Sequence, residues 1–440
     1  MLVMKFGGSS VANENQIHKV LEVVKGRLAR RPVVVSSAHK GITDALLNAG
    51  RAAARGEPDA SAIVTKQRAV LKGCGCPADM LDPFFREIED LLRGIALVRE
   101  ASLRSLDYLA SFGERMSCRV IADYFTRQGL KSEAFDAWDI GYITDENFGS
   151  ARPLHGYEQR MATEFKRRVG ADVTPIITGF IGKTSGGEIT TVGRNGSDFT
   201  ATCFAAGLGA VECEIWTDTD GVMTADPSVV KDAHSIPFMS FAEASELAYY
   251  GGRVLHPSTL LPAIKRKIPV RVLNTNRPDH PGTVITEEGG ANPNPVTSIA
   301  YKENQSVITI ESTQMLGTPG FLAKIFDILG REKIDIDMIS TSEISVSMTC
   351  AGVAHMNEAV KALEQYGRVS VVTDKSIVCV VGKNVKAAKG LAAKVFGALR
   401  DVDVNVEMIS QGANKINLSF LIDDDDIKKA VPALHSGLFK

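Results

Sequence analysis

Residues 307–440 repeat themselves, and every matched pair lies 70 positions apart (307 and 377, 320 and 390, 338 and 408). Val307–Ile310 matches Ile377–Val380. Gly320, Ala323, Lys324, Phe326 and Leu329 match Gly390, Ala393, Lys394, Phe396 and Leu399, and Met338–Ser340 matches Met408–Ser410. Each copy reads strand, helix, strand, strand, helix, strand, a small α+β sandwich. The second copy is cut short. The first copy ends on a strand at Val369–Val372 whose counterpart would begin at 439, and the sequence stops at Lys440. Val296–Ala300, a strand ahead of the first copy, has no counterpart and is expected to supply the missing strand. The first copy (306–375) is then inserted in the second (296–305 plus 376–440). Glu287–Pro295 lacks apolar periodicity, concentrates Gly, Pro and Asn, and reads as a linker. It leaves residues 1–286 as a separate domain.

In that first domain, short apolar runs alternate with helical patterns, which implies an α/β three-layer sandwich around a mainly parallel sheet. Strands are expected at Val3–Phe6, Pro32–Val35, Ser132–Ala137, Val173–Ile181, Glu212–Trp216 and Pro269–Leu273. Helices are expected near Asn13–Leu28, Ala62–Leu71, Met80–Leu92, Leu97–Leu109, Asp198–Leu208 and Phe241–Tyr250. Ligands of open α/β sheets bind at the carboxyl ends of strands, and here those ends are polar. Lys5-Phe6-Gly7-Gly8-Ser9-Ser10 offers an ammonium, backbone N–H groups and hydroxyls to a phosphate. Ser36–Asp44 follows the second strand, with His39 and Lys40 read as solvated loop residues. Glu114, near an expected break at Ser111–Ser117, is a candidate for a substrate ammonium group.

The richest stretch is Thr191–Thr200, with Gly193, Arg194, Asn195, Gly196, Ser197 and Asp198 in succession. Glycine lets backbone N–H groups approach a ligand closely, and a helix start favours an anion. Ser197 or Asp198 is expected to cap that helix, and Asn195 tolerates the left-handed conformation. With Arg194 this makes a cradle for phosphate or carboxylate. It is neither a Walker A loop nor a dinucleotide fingerprint.

Composition excludes several classes. A net charge of −2 suggests neither nucleic acid nor anionic membrane as partner. No apolar run reaches the ~20 residues of a membrane span, and Met1–Gly8 reads as a strand entering a turn, without a signal peptide. Seven scattered cysteines point to reduced thiols in the cytoplasm, not to a disulfide framework or a zinc site.

Five motifs in order, Lys5–Ser10, Phe112–Glu114, Gly193–Asp198, Trp216–Asp218 and Val254–Pro257, resemble the motif set of aspartate kinases. The repeated tail resembles that family's paired ACT domains. The resemblance implies an amino-acid-kinase fold followed by two ferredoxin-like ACT domains. It also implies ATP with Mg²⁺ as donor and the side-chain carboxylate of L-aspartate as acceptor. Lys5 and Asp198 would be catalytic. Ser37, Thr43, Glu114, Phe180, Arg194 and Ser197 would hold aspartate. Lys5, Gly7, Gly8, Ser9, Thr217, Asp218, Met223 and Arg253 would hold the nucleotide. No metal ligand is assigned to the protein itself. This chain carries Asn195 where the family has Gly, Met223 where Tyr is frequent, Ser228 where a basic residue is, and Arg253 where Lys is.

The tail resembles the effector region of lysine-inhibited members. Met315, Thr318, Gly320, Phe321, Leu322, Asp335, Ile336, Asp337, Thr341 and Glu343 would bind lysine, whose two ammonium groups match these acids. ACT domains pair, so a homodimer or a dimer of dimers is expected. Two other readings compete: a sister kinase with another acceptor, and a non-catalytic amino-acid sensor. No chain remains after the repeats for a fused dehydrogenase, which is expected to be absent.

Overall fold

The computed structural model describes residues 1–251, 257–290, 294–352, 356–411 and 416–439. The chain forms two compact units. The first comprises Met1–Val222, Ser235–Phe241 and Val254–Gly290, and the second Met223–His234, Ala242–Arg253 and Ala291–Lys440. Two segments ahead of the expected linker therefore pack with the tail.

The strands of the first unit are β1 (Leu2–Phe6), β2 (Pro32–Ser36), β3 (Ser132–Phe135), β4 (Ile143–Thr144), β5 (Thr174–Thr178), β6 (Ile181–Thr184), β7 (Ile189–Thr191), β8 (Glu212–Thr217), β9 (Phe238–Ser240), β10 (Val270–Asn274) and β11 (Thr283–Thr286). The main sheet runs β3-β5-β2-β1-β8-β10-β11-β9, while β4, β6 and β7 form a separate small sheet. Apart from β10 against β11, the pairs of the main sheet are parallel. Its helices are α1 (Glu14–Lys25), α2 (Ile42–Ala54), α3 (Ser61–Gly73), α4 (Asp82–Val98), α5 (Leu103–Arg127), α6 (Tyr157–Arg168) and α7 (Gly196–Leu208). Next come α8 (Phe241–Tyr249), which leads into the second unit, and α9 (Pro257–Arg266), back in the first. Asn13 caps α1, its side chain accepting from the Gln16 N–H at 3.1 Å. β1 and β2 are buried along their whole length, as strands covered on both faces must be.

Three expectations change here. Ser111–Ser117 is not a break but the middle of α5, whose start is set by Ser102 accepting from the Ser105 N–H. The apolar run Val173–Ile181 is not one strand. It breaks at Phe180, which has φ 65°, and the chain continues into β6. Helix α7 is capped by Asn195 in the left-handed conformation (φ 51°), without a side-chain cap bond, and Ser197 and Asp198 lie inside its first turn.

In the second unit, β12 (Ser298–Glu311), β13 (Ile336–Thr341), β14 (Ser345–Ala351), β15 (Arg368–Val381), β16 (Met408–Ser410) and β17 (Asn417–Asp423) form one antiparallel sheet in the order β13-β14-β12-β15-β17-β16. Helices α10 (Phe321–Arg331), α11 (Met356–Leu363), α12 (Leu391–Arg400) and α13 (Ile427–Phe439) complete it. The short strands expected around 300 and 308 are two halves of β12, and those around 370 and 378 are two halves of β15. Ser298–Lys302 pairs with Ile377–Val381 of the second copy, and Val307–Glu311 with Arg368–Val372 of the first, across a register shift. Each copy keeps its own apolar core, one around Ile308, Phe321, Ile325 and Met348, the other around Ile299, Val378, Val395 and Phe420. Among the described residues, no helix is long and apolar enough to cross a membrane.

Candidate active site

The predicted residues of the first unit gather where parallel strands end. Lys5, second to last in β1, is 9% exposed, and its Nζ lies 2.6 Å from Asp198 Oδ1 in the first turn of α7. A buried ammonium is tolerable only beside such a partner. Gly7 follows, its N–H bonded to the carbonyl of Trp216 at the end of β8, and a Cβ on it would sit 3.4 Å from Lys5 Nζ. At Gly8 a Cβ would meet the Ala38 carbonyl oxygen at 2.9 Å, so the two turns are close-packed because residue 8 has no side chain. Ser9 is partly exposed beside them, and Ser10 shares a 2.7 Å hydrogen bond with Thr275.

The turn after β2 carries the next group. Ser37 and Thr43 are half-buried, and Ala38 donates its N–H to Glu114 Oε1 at 3.1 Å. Glu114 projects from the middle of α5 and is 3% exposed. Among the described residues, its other oxygen, Oε2, has no hydrogen-bond partner. Burial pushes its pKa up to about 8, against the pull of the Ala38 N–H. Gly113 keeps this approach open, since a Cβ there would come within 2.8 Å of Ala38 Cβ and 3.6 Å of Thr43 Oγ1. His39, read as solvated, is 1% exposed. It bonds Gln67 Oε1 at 2.9 Å, and burial holds its pKa down at about 4, so the ring is neutral.

A third group sits where β5 ends and α7 begins. The Gly179 N–H bonds Ser36 O, and a Cβ on Gly179 would strike Ser197 at 2.7 Å. Phe180 donates its N–H to Thr200 Oγ1 at 3.1 Å. Arg194 lies exposed in the turn before α7. Sequence reasoning missed what braces that turn. Asp107, 4% exposed, accepts from the N–H and hydroxyl of Thr191 and from the Gly149 N–H, at 2.7–2.8 Å. Arg152 donates to Val192 O at 3.2 Å and lies over the Phe199 ring. An aspartate in a helix and an arginine in a loop carry no local signal of such roles.

Thr217 ends β8, and its hydroxyl donates to Asp218 Oδ1 at 3.2 Å. Asp220, read in the same loop, is held by Asn274 at 2.7 Å and by an ion pair with Arg277. Met223 lies in the segment that packs with the second unit, where its carbonyl accepts from Ser298 Oγ at 2.8 Å. Arg253 and the motif through His256 lie outside the described residues.

The predicted effector residues fall on the first repeat. Thr318, Gly320, Asp335, Thr341 and Glu343 are exposed, and Met315, Leu322 and Ile336 half-buried. Phe321 belongs to the core. Gly320 (φ 81°) starts α10 without a side-chain cap, leaving first-turn N–H groups for an anion. Asp337 is already partnered by Lys302 and Tyr249. An open groove of about 710 Å³ at one end of this repeat is lined by Glu311, Ser312, Ser342, Ile344, Tyr366 and Arg368 among others, and by none of the ten predicted residues.

Residues 1–274 match the amino acid kinase family, and 308–366 and 378–438 match an ACT domain. The chain is 38% identical over 456 residues to Aspartokinase 1, chloroplastic, of Arabidopsis thaliana, covering all of this chain and 80% of that one. It is 35% identical over 456 residues to Lysine-sensitive aspartokinase 3 of Escherichia coli, covering all of this chain and 99% of that one. Among solved structures it is similar to E. coli aspartokinase III in complex with aspartate and ADP (R-state), with a TM-score of 0.86, 34% identity and full coverage of both chains. The same enzyme in complex with lysine and aspartate (T-state) gives a TM-score of 0.77 at 33% identity, again over both full chains.

Proposed function

The chain belongs to the amino acid kinase family and, within it, to the aspartokinases, and from that premise we propose how its own residues carry the reaction. It phosphorylates the side-chain carboxylate of L-aspartate from ATP, giving 4-phospho-L-aspartate, and is feedback-inhibited by lysine.

Donor and acceptor are both anions, so the site must first suppress repulsion. Lys5 neutralises charge that shifts as the phosphoryl group passes across, and the Gly7 and Gly8 turn with Ser9 supplies further donors. Asp198 orients Lys5. It is not a base, because an acceptor carboxylate of ordinary pKa ~4 is already ionised at neutral pH. Glu114 Oε2 accepts from the substrate ammonium, and Arg194 clamps a substrate carboxylate with its planar fork. Ser37, Thr43 and Ser197 add hydroxyls, and Phe180 shapes the wall between them. Thr217 and Asp218 face the nucleotide. Mg²⁺ comes with the phosphates and screens their charge. Asp218, exposed at a strand end with hard oxygen donors, suits that ion.

The observation that carries this reading is the meeting of a buried Lys5–Asp198 pair with a buried, unpartnered oxygen of Glu114 at the ends of adjacent parallel strands. The test is ADP release with ATP, Mg²⁺ and L-aspartate, with acyl phosphate trapped by hydroxylamine. Aspartate-dependent hydroxamate that lysine suppresses is the expected result. Lysine binding without turnover would leave only an amino-acid sensor.

The same proposal assigns residues 1–286 to catalysis, 287–295 to a linker, 306–375 to the first ACT domain and 296–305 plus 376–440 to the second. The pairing of Ser298–Lys302 with Ile377–Val381 supports the inserted arrangement. It further places the enzyme in the cytoplasm, in keeping with seven buried free thiols. It makes the enzyme a homodimer, or a dimer of dimers, through the tail. β13 and β16 end the sheet, and strand edges need cover. Sedimentation as a monomer at micromolar concentration would remove the dimer.

A further inference from the structure

Asp337 lies on the edge strand β13, yet its side chain is only 3% exposed. Oδ1 accepts from the Tyr249 hydroxyl at 2.6 Å, and Oδ2 from Lys302 Nζ at 2.6 Å. Lys302 Nζ also stands 5.5 Å from the centroid of the Tyr249 ring. Burial and the bond to Asp337 raise the Tyr249 pKa, so its hydroxyl remains a donor. The carboxylate assigned to the effector is thus saturated by groups of the chain itself, one of them a lysine ammonium. The three residues come from α8, from the bend of β12 and from β13, all within the second unit.

We propose that Lys302 is an intramolecular competitor that occupies the ammonium subsite of the lysine effector on Asp337. The inference rests on the effector reading above and deepens it. Free lysine presents the same ε-ammonium on the same four-carbon stem, so it replaces Lys302 without leaving a buried carboxylate unpaired. An amino acid with a neutral side chain has only its α-ammonium to offer Asp337 and then none for the other acids, so Lys302 also acts as a specificity filter. The apparent affinity for lysine is scaled down to the fraction of time that Lys302 leaves the site free. The exchange is felt at Tyr249, the last residue of α8. Farther back on α8, Glu243 accepts from the Thr297 hydroxyl at 2.6 Å and the Lys383 N–H at 2.8 Å, and Glu246 from Asn417 at 2.7 Å. The body of α8 is therefore anchored while its end carries the contact that lysine disputes.

The test is calorimetric titration of the full chain with L-lysine. Lys302→Met is expected to bind at least about tenfold more tightly than the unaltered chain, with the half-inhibiting concentration falling in step. Lys302→Gln should behave the same way and guards against a folding defect peculiar to methionine. Lys302→Arg, which keeps the cation, should stay within about threefold of the original affinity. Unchanged or weaker lysine binding in both neutral variants would overturn the competitor. Lysine binding that is absent in the unaltered chain but gained in Lys302→Met would uphold the competitor and remove lysine as the effector of the natural chain. Absence in both would remove the two together.

Discussion

Lys5→Met loses at least about 10³-fold in kcat, with aspartate and ATP still bound. The magnitude follows from the place of the ammonium. Removing one preorganised donor from a developing charge costs about 10²–10³-fold in a typical site, and Lys5 contributes a full charge at low exposure. Its Nζ stands 2.6 Å from Asp198 and 3.4 Å from the Cβ position of Gly7, so it is held at the turn proposed to receive the phosphates. Methionine fills the same volume and leaves the Asp198 carboxylate buried without a cation, which destabilises by about 3–5 kcal/mol. A loss of activity by unfolding must therefore be separated from a loss of chemistry. The double variant Lys5→Met/Asp198→Asn removes both charges, recovers most of the melting temperature and stays inactive. Lys5→Arg keeps the pairing but moves the charge into a planar fork, and retains a small part of the rate. Hydroxamate yield in single turnover, read beside thermal melts, checks all three. Turnover in the folded double variant within tenfold of the original would take Lys5 out of the chemistry.

Much of this site was legible because its parts are local. Lys5-Phe6-Gly7-Gly8 is a strand end and a tight turn within four residues, and both follow from an apolar run stopped by glycine. The repeat was legible for a different reason: a fixed offset can be checked without any structure, and it pointed to the pairing of Ser298–Lys302 with Ile377–Val381. Four things were not legible. The place of Ser111–Ser117 inside α5 depends on Gly113 facing Ala38, a contact across 75 positions that overrides glycine's weakness as a helix former. The burial of His39 depends on Gln67, a residue from another helix with no pattern of its own. Asp107 looks in sequence like any surface acid on a helix, and only the fold brings Thr191 and Gly149 to it. Likewise Asp337 is an exposed-looking acid until β12 and α8 deliver Lys302 and Tyr249. Residues whose role lies in their own turn can be read, whereas residues whose role lies in a distant partner cannot.

Aspartate binding releases about one proton at pH 7, and its Kd falls roughly tenfold per pH unit up to about pH 8 before levelling. Glu114 is the source. Its carboxyl is buried, with Oε1 on the Ala38 N–H and Oε2 without a partner, and burial pushes its pKa up to about 8. In the empty site at pH 7 the protonated form therefore predominates. The incoming ammonium needs the ionised form, so binding expels the proton, and the cost of doing so shrinks as pH rises. The sign for stability runs the other way. A carboxyl whose folded pKa lies above its unfolded value of 4.5 binds its proton more tightly in the folded state. Its contribution is complete below pH 4.5 and is lost as pH climbs through about 8, so the substrate-free enzyme is weakened in the range where it binds aspartate best. Glu114→Gln keeps the oxygen that meets Ala38 and removes the charge. That variant binds aspartate at least about 10²-fold more weakly, as expected for stranding a buried cation. It releases no proton, loses the pH dependence of Kd, and loses the Glu114 share of the pH dependence of melting temperature. Titration in two buffers of different ionisation enthalpy measures the proton directly. A wild-type Kd that is flat between pH 6 and 8, with no proton released, would mean that the substrate ammonium is held elsewhere and that Glu114 serves only to fix the Ala38 turn.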